Sequence, residues 1–304
     1  MKDKIYGYLF GSALGDALGA PVEFMPLELI KSRYGEAGIQ MPPKSAIWTD
    51  DTEMMISLTK GLLPVFLEDS LETIMQSVSK SFIAWLDNPG LAPGNTCMRG
   101  AYALKQGVNW RKSGVKTSKG CGSAMRSGTV GLFYHNNPPK LREVASASGI
   151  ATHGHPTADA ACIGAAFLIK YALEGKDPAY YPELLLNVVG GISNEFDEII
   201  SNTDMLVKEL VPPSKALPQL GQGWVGEEAV ALALYCVMTN PNDYVAGVRQ
   251  AVNITGDSDS VGCIAGGILG TRLGVQGIPD DWIERLDEKD RLIKLGEEIV
   301  AVLK

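Results

Sequence analysis

Apolar side chains recur at three- and four-residue spacing over Glu53 to Leu67, Leu71 to Leu86, Leu141 to Ile150, Ala158 to Leu173, Tyr181 to Val189, Glu227 to Met238 and Asp290 to Leu303. That spacing returns each side chain to one helix face, so it predicts helices over all of these segments. Period-two alternation is scarce, and few strands are expected. Prolines at 42–43, 89, 93, 138–139, 178, 212–213, 218, 241 and 279 fall mainly between the periodic segments. There a fixed φ and a missing N–H end helices. No Ser/Gly-rich linker or low-complexity tract divides the chain, so one domain over residues 1–304 is expected.

Two segments carry a different period. Gly7, Gly11, Gly15 and Gly19 fall four apart near the start, and Gly262, Gly266, Gly270 and Gly274 do so near the end. On a helix each set forms a stripe along one face. Glycine costs about 1 kcal/mol against alanine in a helix interior, so both stripes need the compensation of close backbone approach. Leucine, isoleucine and alanine fill the positions between. Both helices are therefore expected at the centre of the fold rather than in flexible segments.

Composition narrows the class. Of 304 residues, 45% are hydrophobic and 20% charged, which is a globular balance able to build a large core. The net charge of -8 makes nucleic acid a poor partner. Local donors or cations can still reverse the potential within one cleft and admit a small anion. The five cysteines are far apart, with no Cys-x-x-Cys pair, which fits a reduced, cytoplasmic chain. Asp16 interrupts the apolar stretch after Lys2 and Lys4, so no export signal is read. No run of about 18 uncharged apolar residues is present, and no membrane span is expected.

The candidate chemistry begins with two acidic clusters, each placed where a helix should start. Thr49-Asp50-Asp51-Thr52-Glu53 follows a Pro-rich loop, and one of its oxygens has an ordinary alternative use as a helix cap. In Thr255-Gly256-Asp257-Ser258-Asp259-Ser260, two aspartates alternate with hydroxyls, which is more oxygen than one cap needs and matches the hard donors of Mg²⁺ or Mn²⁺. The central glycine and downstream glutamate of a calcium loop are missing. Convergence of the two clusters would let two cations about 3.5–4 Å apart lower the pKa of a shared water, which is hydrolytic equipment. With three histidines and no His-Glu-x-x-His pattern, a zinc peptidase has no support.

Between the clusters, Ser118-Lys119-Gly120-Cys121-Gly122-Ser123-Ala124-Met125-Arg126 reads as a small-residue loop whose N–H groups can cradle a diphosphate. It is neither a Walker loop nor a dinucleotide fingerprint. In Thr152-His153-Gly154-His155-Pro156, one histidine of the pair is a candidate ligand contact, the other use being a cap or a hydrogen-bonded core residue.

In this order, Gly11-Ser-Ala-Leu-Gly-Asp16-Ala-Leu-Gly-Ala-Pro21-Val-Glu23, Thr49 to Thr52, Gly122 to Arg126, Thr152 to Pro156, Gly223-Trp-Val-Gly-Glu-Glu228 and Thr255 to Ser260 resemble the ADP-ribosylglycohydrolase family over nearly the whole chain. The resemblance implies an all-α, single-domain orthogonal helical bundle. It implies two Mg²⁺ or Mn²⁺ ions held by Thr49, Asp50, Asp51, Asp257, Asp259 and Ser260, the last often Thr in relatives. Glu23 would gate or orient the substrate, and Ser118, Lys119, Gly120, Gly122, Ser123, Met125, His153 and Trp224 would line the ligand pocket. Cys121 stands where some relatives have Asn. The expected reaction is metal-dependent hydrolysis of the glycosidic bond between ADP-ribose and a modified protein, arginine first, with Glu23, Asp257 and Asp259 as the catalytic acids. Asp259 or Glu23 would handle the proton. Other ADP-ribose linkages, an ADP-ribose-binding module without turnover and a silent crystallin-like protein are the alternatives. A monomer is favoured.

Overall fold

The computed structural model describes residues 1–303. They form 17 α-helices and four short 3₁₀ turns. Backbone pairing outside helices among the described residues is confined to four isolated bridges. The all-α expectation is borne out.

The two glycine-striped segments are the helices Lys2–Gly19 and Ser258–Leu273, and they pack antiparallel along their stripes. The fit leaves no room for a side chain. A Cβ on Gly7, Gly11 or Gly15 would stand 2.0, 2.3 or 2.0 Å from the carbonyl oxygen of Gly270, Gly266 or Gly262. The loss of helix propensity is offset by this close approach, and both helices are buried along almost their full length. Antiparallel packing brings the end of the first helix against the start of the other, so a Cβ on Gly19 would meet Asp259 Cα at 2.5 Å. Asp16 and Asp259 become neighbours for this reason. The last glycine of the second stripe, Gly274, lies beyond its helix at φ +76°, a conformation that favours glycine.

Around this pair lie Ala124–Tyr134, Pro156–Leu173 and Gly226–Thr239, rich in small residues and buried on most faces. A Cβ on Gly131 would come within 2.2 Å of Ala166 O, so small residues set the spacing of these helices as well. Amphipathic helices form the outside. Leu71–Trp85 buries Ile74, Met75, Val78, Phe82 and Trp85, and Lys289–Val302 buries Leu292, Leu295, Gly296 and Ile299. No helix among the described residues is long and apolar enough to cross a membrane.

The pattern misjudged some boundaries. The helix expected over Glu53 to Leu67 runs Asp50–Leu62, because Pro64 has no N–H to continue the ladder. Asn194–Lys208 escaped notice because Thr203 occupies a core position and blurs the apolar face. Ala124–Tyr134 did so for the opposite reason: every residue in it is buried, so it has no polar face to create a period. The loop read at 118–126 therefore extends only to the turn Cys121–Ser123 before a helix begins.

Candidate active site

Two helix starts face each other at the end of the glycine seam. Thr49 caps Asp50–Leu62 by accepting from the Asp51 N–H, and Asp257 caps Ser258–Leu273 by accepting from the Ser260 N–H at 3.3 Å. Both therefore serve as caps, yet most of the cluster's oxygens are left over for other work. The positive ends of both helix dipoles point at the same place, which favours anionic side chains there.

Asp16 joins the two halves. Its carboxylate is fully buried and accepts from Thr49 N at 2.9 Å, Thr49 Oγ1 at 3.0 Å, Thr52 N at 3.0 Å and Thr52 Oγ1 at 2.6 Å. A charge buried this deeply persists only with such donors. The site assignment from sequence did not include it. The signal was an aspartate in the apolar, glycine-rich part of its helix, Ile5–Gly19, since a carboxylate in such a place needs a built environment.

The structure brings Asp16, Asp51 and Asp259 within 4.8 Å of one another at their carboxylate oxygens, and likewise Glu23, Asp257 and Asp259. Ser260 N donates to Asp259 Oδ1 at 3.0 Å. Asp50 stands at the edge, one oxygen held by the Gly94 N–H at 2.8 Å. Glu53 turns away and forms a bidentate pair with Arg291, at 2.6 and 2.8 Å, while accepting from Trp48 Nε1.

This centre has too many acceptors. Thr49 Oγ1 carries one proton but lies 3.0 Å from Asp16 Oδ1, 3.0 Å from Asp51 Oδ2 and 3.3 Å from Asp259 Oδ2. Asp51 Oδ1 is buried with no hydrogen-bond partner among the described residues. None of the six carboxylates forms an ion pair with Lys, Arg or His among the described residues. Burial, as the largest cause, pushes Asp16 up to about 6 and Glu23 and Asp50 up to about 7. It raises Asp51, Asp257 and Asp259 as well, and neighbouring carboxylates add to the effect at Glu23, Asp50, Asp51 and Asp259. Hard divalent cations fit this donor set, because they would satisfy the surplus oxygens and neutralise the charge.

The small-residue loop lies beside the centre. Its backbone is fastened to the 223–226 segment by Cys121 N to Trp224 O at 3.3 Å and Gly226 N to Lys119 O at 2.7 Å. His153 is buried against it, and a Cβ on Gly120 or Gly122 would stand 3.2 or 3.0 Å from the imidazole. Burial, and secondarily the Arg126 charge, lowers the His153 pKa to about 3, so the ring is neutral. Arg126 donates to Thr152 Oγ1 at 2.8 Å, and Thr152 Oγ1 lies 2.8 Å from His153 Nδ1. With the Thr152 hydroxyl donating to Nδ1, the N–H falls on Nε2, the edge facing Gly120. His155 instead caps the helix from Pro156, accepting from the Thr157 N–H at 3.2 Å.

The other residues assigned to the pocket divide by environment. Ser118 Oγ lies 3.0 Å from Thr96 Oγ1 and accepts from the Gly120 N–H. Ser123 is buried and donates to Ala158 O, and Met125 Sδ lies 3.9 Å from Ser260 Oγ. The Lys119 ammonium is engaged by Glu195 at 2.8 Å and Glu227 at 3.1 Å rather than free for phosphate. Trp224 is exposed and stacks on Phe24 with ring centroids 4.4 Å apart. Phe24 was not foreseen; it sits at φ +60°, held by its N–H to Gly256 O at 2.7 Å. A cavity of about 470 Å³ between Leu27, Leu217, Arg249 and Asn253 is lined by none of these six carboxylates.

An all-α fold with helix starts converging on an acidic centre beside a small-residue loop defines a helical hydrolase. Residues 1–304 match the family model described as ADP-ribosylglycohydrolase, and the chain belongs to that family. It is similar to the ADP-ribosyl-[dinitrogen reductase] glycohydrolase of Rhodospirillum rubrum, 27% identical over 95% of this chain and 92% of that one. Similarity also extends to the ADP-ribosylarginine hydrolase Tri1 of Serratia proteamaculans, 24% identical over 98% and 79%. In fold it matches a solved structure titled ADP-ribosylglycohydrolase-related protein complex, with TM-score 0.79, 24% identity and coverage of 100% and 99%.

Proposed function

We propose that this enzyme hydrolyses the glycosidic bond between ADP-ribose and the guanidinium of a modified protein arginine, using two Mg²⁺ or Mn²⁺ ions. The observation that carries the reading is the surplus of buried oxygen donors from Asp16, Thr49, Asp51, Asp257, Asp259 and Ser260, with no basic side chain among the described residues to balance them. Arginine is favoured by the likeness to the ADP-ribosylarginine hydrolase Tri1 of Serratia proteamaculans. Bound there, divalent cations would supply Lewis acidity toward a water and the ribose hydroxyls.

The protein's own groups do the rest. Thr49, Asp50, Asp51, Asp257, Asp259 and Ser260 would hold the ions, with Asp16 fixing Thr49. Glu23, half-buried at the rim and raised to about 7, sits where a carboxyl can hold or pass a proton near neutral pH. Asp257 and Asp259 flank it, with Asp259 the other carboxyl placed to take the proton. The turn Cys121–Ser123 and His153 Nε2 lie beside the centre, where a diphosphate or ribose oxygen would bind, while the N–H groups of Ser118, Gly120 and Cys121 are spent on holding the loop itself. Trp224 and Phe24 offer flat apolar faces at the rim. The enzyme would act as a cytoplasmic, single-domain monomer, and five buried unpaired cysteines favour a reducing compartment.

The test is incubation with arginine-, serine- and nucleobase-linked ADP-ribose, with and without chelator. Release of ADP-ribose from the arginine linkage alone, abolished by chelator and by Asp257→Ala, is expected. Turnover indifferent to chelator would overturn the metal reading, and turnover of another linkage alone would overturn the arginine assignment.

A further inference from the structure

The acidic centre is not chemically symmetrical. On one side, Asp16, Thr49 and Asp51 are hydrogen-bonded only to oxygens and backbone N–H groups. On the other, two sulfurs converge. Cys121 Sγ lies 3.1 Å from Asp257 Oδ2 and 3.5 Å from Ser260 Oγ, and Met125 Sδ lies 3.9 Å from the same Ser260 hydroxyl. Asp257 and Ser260 are both assigned above as cation ligands. A thiol touching two such donors, with a thioether on its flank, is placed to become a donor itself.

The position is built. Cys121 is buried, opens the turn Cys121–Ser123, and is anchored by its N–H to Trp224 O. The neighbouring Gly120 pairs with Val225, fixing the loop from which the side chain projects. The sulfur therefore has little freedom to leave the carboxylate it touches. Four other cysteines are also buried and unpaired, but among the described residues none hydrogen-bonds an assigned cation ligand: Cys97 contacts Gly122 O and Arg126, Cys162 contacts Ala145 O, Cys263 contacts Met125 O, and Cys236 is buried within Gly226–Thr239.

Resting on the reading of this cluster as a cation centre, we propose that Cys121 supplies a thiolate ligand to the cation held by Asp257 and Ser260. That half then accepts thiophilic or borderline divalent ions such as Co²⁺, Zn²⁺ or Cd²⁺, while the Asp16–Asp51 half remains a hard, all-oxygen position. Soft sulfur donors favour such ions and carboxylate oxygens favour Mg²⁺ or Mn²⁺, so one cluster would hold two unlike metals. On coordination the sulfur–metal bond forms as the thiol proton passes to solvent, and no electron is transferred.

Cobalt makes the ligand visible. The metal-free full-length protein is loaded with Co²⁺, bound metal is counted by equilibrium dialysis, and the near-ultraviolet thiolate-to-cobalt charge-transfer band is recorded. Wild type and Cys97→Ser are expected to show the band, and Cys121→Ser to bind cobalt without it. Bound cobalt with no band in wild type, or a band that survives Cys121→Ser, overturns the thiolate ligand and leaves the cation centre standing. Failure to bind cobalt at all overturns both. Should Cys121→Ser not fold, ¹¹³Cd resonance of the wild-type protein decides: a strong downfield displacement into the sulfur-ligated range supports the proposal, and a shift in the all-oxygen range overturns it.

Discussion

The two acidic helix starts look alike in sequence and are held in place by different physics. Thr49–Glu53 is pinned by hydrogen bonds: Asp16 grips both threonines, Leu91 O takes the Asp50 N–H, and Gly94 N–H takes the Asp50 carboxylate. Asp257–Ser260 is also hydrogen-bonded, through Asp257 N–H to Gln222 O at 2.8 Å and Phe24 N–H to Gly256 O at 2.7 Å, but its place along the seam is set by contact, because the glycines bring Gly19 against the backbone of Asp259, and Gly223 lies against Asp257. Polar restraints are directional and fail one bond at a time, whereas a close-packed seam has no intermediate separation. The first half should therefore be tunable by single polar substitutions. The second should be all or none.

The strongest way to break this contrast is Gly15→Val. Its Cβ would fall 2.0 Å from Gly262 O, a backbone atom that cannot swing aside. A loss of about 3 kcal/mol or more is expected in urea unfolding, with cation binding lost alongside. A midpoint close to that of wild type would show that the seam yields after all.

Asp16→Asn attacks the other half. Amide for carboxylate keeps the shape but loses charge and acceptors at Thr49 and Thr52. Cation affinity should fall about 10–100-fold by calorimetric titration while the protein remains folded. An unchanged affinity would remove Asp16 from the centre.

Chelation sharpens the comparison further. Asp16, Asp50 and Glu23 are raised from ordinary carboxylate values to about 6, 7 and 7. Their folded-state preference for the proton is fully present below the unfolded pKa and is lost as pH rises through these folded values. The Tm of the chelated protein should thus fall below that of the Mg²⁺-saturated protein by a margin that widens between about pH 5 and pH 8. A margin independent of pH would contradict the unbalanced charge.

The smallest effect belongs to Glu53→Gln. Although Glu53 sits in the first acidic run, its carboxylate serves Arg291 and Trp48. A cost of about 1 kcal/mol is expected, discounted because Arg291 is partly exposed, with no measurable change in cation affinity. A marked loss of binding would mean that the first half reaches further than its geometry indicates.

Much of the architecture was legible. Helix after helix followed from apolar period, the glycine stripes announced two helices in backbone contact, and the paired oxygens of residues 49–51 and 257–260 announced a centre. Less legible were the elements without a contrast to read, such as Ala124–Tyr134, buried all round. His153 and His155 could not be separated by sequence, since a cap and a buried pocket residue use the same side chain. Lys119 could be assigned to the pocket but its pairing could not be read, because the two glutamates that hold it come from distant helices.

By itself, then, the sequence determined that the segments with a clear apolar period are helical, which faces must touch closely and which residues carry hard oxygen donors, because these depend on local period and side-chain chemistry. Only the tertiary structure decided that Asp16 bridges the two clusters, that Glu53 leaves them, and that Cys121 rests against Asp257. Those outcomes depend on the direction of each side chain and on partners up to 238 residues away, which packing of the whole chain sets and no local pattern encodes.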